Sequence, residues 1–354
     1  MNERSTLIDI SKYIAILFVV CGHLLNNANI GNTDMGMLFH VSHMPVFFMI
    51  SGYLIFHELQ KYNLSKLINN KIHRLLIPYL IWSAISFAFH FLIIILKALH
   101  LKTGFPASEL IEECLQIFLY SRSVWFLIVL FISELIFCTV FFLSNKTKMP
   151  LILLLIFVYL FFCFFSGNSI FSLFKFKWLF PFFVMGFYFH KHLNAAEIIK
   201  KTPPGFIILF SACGLIMFSY LFFDFTTPEN VCTFSIKSLN DFSLKNSILY
   251  QFVGLFGALF IFSLSILLDK MPINKEIAER GKYSLDIYVI HMFLLSLIPL
   301  PDNLIVARVA ALAIAFIICE IIYNVSRLFL RKIHLYRISV GLKTKNNISG
   351  GQNG

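Results

Sequence analysis

Lys12 and His23 lie in the first apolar segment of the chain, and their types and spacing suggest chemistry. They are eleven residues apart, and Asp9 precedes them near the start of the segment. In a helix this separation is roughly 16 Å along the axis and about three full turns, so both side chains point to nearly the same face. Because a cation and an imidazole are costly in lipid, they predict a polar cavity inside the protein.

A second set of polar residues follows in the next apolar segment. His40 and His43 are three residues apart, and Pro45 suits the start of a helix there. Together with His23, these histidines could bind zinc. No carboxylate or thiolate accompanies them at ligand spacing, so we expect no metal. Ser51 either donates a hydrogen bond to a substrate carbonyl or, with the glycine after it, serves close helix packing.

Lys71 and Arg74 stand where the third apolar segment begins, just before Pro78. Basic residues at a helix start can hold phosphate, because the helix N-terminus is partly positive and Arg binds phosphate through two hydrogen bonds. The alternative is an ordinary basic anchor on the cytoplasmic side of a membrane. Trp125, at the start of a later apolar segment, is expected at the outer membrane interface.

Ionisable residues also occur inside later apolar segments. Glu134 and Glu320 are candidate counter-ions for Lys12 or Arg308, in a structural or a functional role. His291 lies five residues after Asp286 in the ninth apolar segment. It is either a core histidine or part of a site.

The composition is that of an all-α polytopic membrane protein. Of 354 residues, 58% are hydrophobic and 13% charged, and the mean hydropathy is +0.81, whereas a soluble domain is about half apolar and a quarter charged. The net charge of +11 fits basic cytoplasmic loops, and with no soluble domain to present a basic groove we expect no nucleic-acid partner.

Apolar periodicity and length predict about ten transmembrane helices, each long enough for roughly 30 Å of hydrocarbon. The predicted spans are 8–26, 37–56, 75–96, 124–143, 150–166, 174–190, 204–223, 247–268, 281–299 and 303–325. Alternate loops hold about twenty of the 29 basic residues, which predicts that these loops and both termini are cytoplasmic. Residues 1–335 then form one integral membrane domain, and 336–354 a cytoplasmic tail that we expect to be disordered.

Four motifs in this order resemble the membrane-bound acyltransferase family 3, in its fucose 4-O-acetylase-like, polysaccharide O-acetyltransferase branch. They are Lys-x10-His in the first span, Phe-His-x3-Met-Pro-x-Phe-Phe-x-Ile-Ser-Gly-Tyr in the second, Arg-Leu-x-x-Pro-Tyr in the third and Ser-x-Asp-Ile-Tyr-x-x-His in the ninth. The resemblance covers nearly the whole chain, and ten spans match the family.

The resemblance implies an O-acetyltransferase of the bacterial cytoplasmic (inner) membrane, with acetyl-CoA as a cytoplasmic acyl donor. The acceptor is a hydroxyl of a cell-envelope or exported polysaccharide sugar, or of its lipid-linked precursor. A sugar hydroxyl is a poor nucleophile until a base takes its proton, and histidine suits that task near neutral pH. We therefore expect His23 to be the general base, with a role as transient acyl carrier as the alternative.

The other roles follow on the same basis. Lys12 either stabilises the thioester oxyanion or holds Asp9, and Ser51 completes the predicted catalytic set. Arg74 and Lys71 are expected to bind the coenzyme A phosphates. Four residues are expected at the acceptor end: His40, His43, Trp125 and His291.

Two other functions fit the same residues. One is a transporter or flippase for a lipid-linked sugar, although no internal repeat is visible in support of it. The other is an O-acyltransferase that uses succinyl or another acyl donor. Cys114 and Cys232 fall in predicted outer loops, where they could pair.

Overall fold

The computed structural model describes residues 5–27, 34–102, 105–121, 124–163, 170–192, 203–222, 244–295, 298 and 304–342. Within these ranges the regular structure is helical throughout and contains no strand. The predicted all-α class is therefore confirmed.

The α-helices are numbered in chain order. They are α1 (Thr6–Asn27), α2 (Asp34–Lys61), α3 (Leu64–Lys71), α4 (Ile77–Leu101), α5 (Ala107–Cys114), α6 (Trp125–Thr147), α7 (Leu151–Cys163), α8 (Phe176–His192), α9 (Pro204–Phe222), α10 (Leu244–Asp269), α11 (Asn274–Gly281), α12 (Ser284–Leu295), α13 (Leu304–Leu328) and α14 (His334–Ser339). Short π-helical segments cover Ile72–Leu76 and Leu115–Leu119, and 3₁₀ segments cover Ile170–Lys175 and Leu330–Lys332.

Each of the ten predicted spans overlaps one of the longer of these helices. Six helical stretches are long and apolar enough to cross a membrane by length and composition: Thr6–Asn26, Leu64–Leu101, Trp125–Thr147, Ile170–Lys191, Tyr250–Asp269 and Val306–Lys332. The stretches Leu151–Cys163, Gly205–Met217 and Ser284–Leu295 are apolar but shorter. The chain is thus an integral membrane protein, while the count of ten spans and the cytoplasmic termini stay predictions.

The chain divides into two compact units. The first unit comprises residues 1–58 and 178–328, and the second comprises residues 59–177 and 329–354. In the first unit α1 contacts α10, α11, α12 and α13. In the apolar stretch of α1, 67% is buried inside the protein, so α1 is an interior helix. That position suits a helix with ionisable side chains, because they face protein rather than lipid.

Glycines allow α2 to pack closely against α8 in the first unit. A Cβ built on Gly52 would overlap the backbone carbonyl of Phe183, and one on Gly186 would overlap the carbonyl of Met49. The two backbones therefore touch, which small residues permit in membrane helices. Gly52 thus has the packing role that was one interpretation of the Ser51-Gly52 pair.

Two more glycines pack α10 against the turn of α2 that carries Pro45. Gly254 faces Pro45, and Gly257 faces the side chain and backbone of Ser42. The expectation that Pro45 starts a helix is wrong, because α2 begins at Asp34 and contains Pro45. A proline inside a helix removes one backbone hydrogen bond, and the contacts with α10 support the turn where that happens.

The second unit is arranged around α6, which contacts α3, α4, α7 and the 3₁₀ segment Ile170–Lys175. One face of α4 exposes large apolar side chains, as expected of a surface in contact with lipid. These side chains are Leu80, Ile85, Phe89, Leu92, Ile93, Leu96 and Leu99.

Part of the predicted tail is folded within the second unit. Helix α14 contacts α4, and the indole Nε1–H of Trp82 donates to the carbonyl of Ser339 at 2.9 Å. Residues 343–354 lie outside the described residues, and the domain limits at 335 and 336 stay predictions.

The contact at Gly52 predicts that Gly52→Ala destabilises the first unit. The added Cβ has only backbone against it, so the helices must separate, and overpacking of this kind costs about 1–3 kcal/mol or more. We expect less protein in the membrane and a lower midpoint of thermal unfolding in detergent. The control is Gly205→Ala, since a Cβ at Gly205 meets nothing within 4 Å. Equal unfolding midpoints for both variants would contradict the contact.

Candidate active site

The structure brings two predicted site residues together in the first unit, His23 of α1 and His291 of α12. Their ring centroids are 5.4 Å apart with an interplanar angle of 41°. His291 is 1% exposed, whereas His23 is half-buried. One imidazole is therefore enclosed by protein, and the imidazole beside it is partly accessible.

Hydrogen bonds fix the orientation of the His291 ring. Its Nδ1 lies 3.0 Å from the carbonyl oxygen of Ile287 and 2.7 Å from that of Tyr288. Carbonyl oxygens only accept, so Nδ1 must carry the hydrogen, and the neutral ring then has its lone pair on Nε2. This buried Nε2 has no hydrogen-bond partner among the described residues. It is thus a candidate acceptor for a substrate hydroxyl.

Asp9 and Lys12 lie near the other end of α1. The Lys12 Nζ is 3.5 Å from a carboxylate oxygen of Asp9, and the side chains are 21% and 2% exposed. This geometry matches the interpretation in which Lys12 holds Asp9. Gly281 at the end of α11 lies directly against the backbone of Asp9, where a Cβ would overlap the Asp9 carbonyl. The turn that carries Asp9 is therefore fixed by backbone contact.

Glu320 of α13 connects three helices next to this turn. Its carboxylate accepts from the hydroxyl of Tyr13 at 2.8 Å and from the guanidinium of Arg280 at 2.5 Å. This hydrogen bond to Glu320 raises the pKa of Arg280, so the guanidinium stays charged. Arg280 also lies over the ring of Tyr323, 5.4 Å from its centroid.

The predicted counter-ion roles of Glu134 and Glu320 are wrong. Glu320 pairs with Arg280, and Glu134 pairs with Lys71. Neither glutamate pairs with Lys12 or Arg308. Arg280 and Tyr13 are polar residues of the site that sequence reasoning missed. The sequence signal for Arg280 was weak, because it lies in a predicted cytoplasmic loop and the positive charge of such loops is already accounted for by the orientation of the protein in the membrane.

Helix α2 contributes His43 and Ser51 to the first unit. His43 is 3% exposed, and its Nδ1 lies 2.5 Å from the carbonyl oxygen of Phe39. Ser51 is half-buried beside the packing contact of Gly52. The backbone of His40 is helical, but its side chain is outside the described part of the structure.

Lys71 and Glu134 form a buried ion pair in the second unit. The Lys71 Nζ is 2.9 Å from the Glu134 Oε2, and the side chains are 4% and 7% exposed. The pair joins the end of α3 to α6. Arg74 lies three residues later in the π-helical segment and is exposed. π-Helical insertions are frequent at functional sites, and this one lies between the end of α3 and the start of α4.

Trp125 begins α6 in the second unit and has a cation on its face. The Nζ of Lys175 is 3.7 Å from the centroid of the Trp125 ring, the geometry of a cation–π interaction. One face of the Trp125 ring is therefore occupied by an ammonium group.

No cluster of three or more metal-ligating side chains occurs among the described residues. The expected absence of a metal stays a prediction. Cys232 lies outside the described residues, so its pairing with Cys114 stays open.

A protein-family model described as "Acyltransferase domain", acyltransferase family 3, matches residues 6–325. The chain belongs to this acyltransferase family. The match includes α1 to α12 and most of α13, and it confirms the resemblance that the four motifs indicated.

Two curated relatives of this chain carry the name Nodulation protein NolL. The protein from Sinorhizobium fredii is 36% identical over 90 residues, which cover 24% of this chain and 25% of the relative. The protein from Mesorhizobium japonicum is 25% identical over 237 residues, 61% of this chain and 56% of the relative. The chain thus spans between a quarter and just over half of these relatives' length. No solved structure is significantly similar to it.

The buried ion pair predicts that removing one of its two charges destabilises the protein much more than removing both. Glu134→Leu removes the carboxylate from the buried Lys71 ammonium, which costs about 3–5 kcal/mol. Lys71→Met combined with Glu134→Leu removes both charges, and we expect unfolding in detergent close to that of the wild type. Thermal unfolding of the wild type, Glu134→Leu, Lys71→Met and the double variant measures the coupling. Additive effects of the two single variants would show that the pair contributes no interaction energy.

Proposed function

We propose that this acyltransferase moves an acetyl group from cytoplasmic acetyl-CoA to a hydroxyl of a cell-envelope or exported polysaccharide sugar. We place it in the bacterial inner membrane, and within its family in the fucose 4-O-acetylase-like branch. The observation that carries the proposal is the pair of adjacent imidazoles, His23 and His291, in a membrane-embedded unit of an acyltransferase.

His23 is the general base in this mechanism. The acceptor oxygen attacks the thioester carbonyl carbon while His23 takes the hydroxyl proton. The carbon–oxygen bond forms, the carbon–sulfur bond breaks, and the proton passes from His23 to the departing thiolate of coenzyme A. Partial exposure of His23 lets it reach substrate, and imidazole is well suited to carry a proton in both directions near neutral pH.

His291 positions the acceptor. Its Nδ1–H donates to the carbonyls of Ile287 and Tyr288. The other ring nitrogen, Nε2, therefore accepts a hydrogen bond from a sugar hydroxyl beside His23. A hydrogen bond that exists only with the correct acceptor gives strong discrimination, because the buried nitrogen is otherwise left unpaired. His43 and His40 of the first unit complete the acceptor end in this proposal, and the assignment of Trp125 to it stays a prediction from the sequence.

Lys12 and Asp9 act elsewhere along α1. Along the helix axis Lys12 lies roughly 16 Å and Asp9 roughly 21 Å from His23, so Lys12 and His23 do not act on one atom. With the termini inside, as loop charge predicts, Lys12 lies towards the cytoplasm and His23 towards the outer face. The acyl end of the donor then approaches His23 along α1. Arg74 binds the coenzyme A phosphates, and the buried pair with Glu134 favours a supporting role for Lys71.

The test is acyl transfer by membranes that contain the wild type or His23→Ala. Acetyl-labelled coenzyme A and a cell-envelope polysaccharide extract are supplied, and label in alkali-labile ester is counted. We expect His23→Ala to lose about 10²–10⁴-fold in rate, the usual contribution of a general base. The matched control is His100→Ala, since His100 is an exposed histidine at the end of α4 and should leave transfer unchanged.

Three other results would each contradict part of the proposal. Equal transfer by wild type and His23→Ala, at equal membrane abundance, would remove His23 from the mechanism. Transfer from succinyl-CoA but not from acetyl-CoA would change the donor. No transfer from either donor, together with movement of a lipid-linked sugar across vesicles, would make the protein a transporter.

A further inference from the structure

The segment that follows α13 belongs with Arg74 rather than with α13. Helix α13 is part of the first unit, which ends at Leu328, whereas residues 329–354 belong to the second unit. The match to the acyltransferase family ends at residue 325. Residues 331–342, named here the C-terminal segment, are therefore outside the shared family region and are folded onto the unit that carries Arg74.

Two contacts attach the C-terminal segment to α4. The Trp82 indole, 7% exposed, donates its Nε1–H to the carbonyl of Ser339 at 2.9 Å. The ring of Tyr336 meets the ring of Trp82 edge-on, with 6.4 Å between centroids. An aromatic contact and a buried hydrogen bond fix the last turn of α14 beside the start of α4.

Gly341 brings the chain directly against Arg74. Its φ of +68° is in the left-handed region, and the amides of Gly341 and Leu342 donate to the carbonyls of Ile338 and Arg337 at 3.0 and 2.8 Å. This is a glycine ending of a helix, in which the left-handed residue satisfies the last carbonyls. A Cβ at Gly341 would lie 2.7 Å from the carbonyl oxygen of Arg74. The close approach therefore requires glycine.

The C-terminal segment carries positive charge without any negative charge. After Glu320 the sequence contains no Asp or Glu, and the segment itself has Arg331, Lys332 and Arg337. The Leu342 amide donates to the Arg337 carbonyl at 2.8 Å, so the backbone of Arg337 lies beside the turn that Gly341 forms. Because Gly341 touches the Arg74 backbone, the guanidinium groups of Arg337 and Arg74 can reach one ligand.

The carboxylate of Glu134, which lies against the end of α3, is already paired with a cation. Glu134 is paired with Lys71 at 2.9 Å, three residues before Arg74 in the chain. Guanidinium groups bind phosphate through paired hydrogen bonds and are less hydrated than an ammonium, which makes arginine the preferred residue for such a ligand.

We infer that the C-terminal segment and Arg74 together form the binding site for the phosphorylated adenosine end of the acyl donor. The inference rests on the proposed use of an acyl-CoA, whose adenosine carries a phosphate monoester and a diphosphate. Arg74 and Arg337 bind these phosphates, and Gly341 sets the distance between the two residues. Lipid headgroups offer the same phosphate chemistry, and the exposed apolar side chains of Ile333 and Leu335 suit a membrane surface, so the test separates the two sources.

The experiment uses the full-length protein in nanodiscs of phosphatidylcholine, with adenosine 3′,5′-bisphosphate and coenzyme A as calorimetric titrants. We expect Arg337→Gln and Gly341→Val each to weaken binding of both titrants about tenfold or more, the usual size of a lost charge-assisted hydrogen bond. Lys146→Gln, a change at an exposed lysine of the second unit, should bind like the wild type.

Kinetics give an independent measure for Arg337→Gln, which adds no side-chain bulk and should fold. With acetyl-CoA its KM should rise about tenfold while kcat is retained. With acetyl-pantetheine, which lacks the nucleotide, wild type and variant should have equal rates. A merely structural role for Arg337 would lower the rate with both donors.

The outcomes distinguish this inference from the proposed function. Wild-type affinity for coenzyme A in both variants would overturn the inference and leave acetyl-CoA as donor. Absence of coenzyme A binding by the wild type would overturn the inference and the proposed donor together. Binding of anionic lipid that depends on Arg337, without nucleotide binding, would assign the segment to lipid headgroups and overturn the nucleotide site.

Discussion

The cost of placing ionisable groups in an apolar environment determines how the first unit is built. Helix α1 carries Asp9, Lys12 and His23 in a sequence that is otherwise almost wholly apolar. Such a helix is stable in a membrane only where protein encloses it, and helices α10 to α13 all contact it. The enclosing helices also supply polar partners, since Glu320 binds Tyr13 and His291 lies beside His23. The same contacts that stabilise α1 therefore assemble the candidate active site.

Enclosure of this kind needs helices that pack closely without a large apolar driving force between them. In lipid, helix association depends on van der Waals contact and polar interactions, and small residues provide the approach. Gly52, Gly186, Gly254 and Gly257 do this between α2 and its neighbours α8 and α10. Helix α2 bears His43, so its packing fixes the depth and direction of a predicted acceptor residue.

The helices were predictable because their apolar composition is a local property of the chain. The first span, predicted at 8–26, is helical over Thr6–Asn27, and all ten predicted segments contain helix. Pro45 was misread, because the packing that supports a proline inside α2 comes from α10, far along the sequence. The partners of Glu134 and Glu320 were misread for the same reason. Local pattern identified His23 and His291 as candidates, but their proximity is a tertiary property.

The order in which the chain passes between its two units has a consequence for biogenesis. The chain leaves the first unit after residue 58, returns at residue 178 and leaves it again after Leu328. Residues 59–177 are synthesised well before residues 329–354, which complete the second unit. The contact between Arg74 and Gly341 can therefore form only after every helix from α8 to α13 has been inserted. A ribosome stalled before that glycine would leave a membrane-inserted protein whose second unit is incomplete.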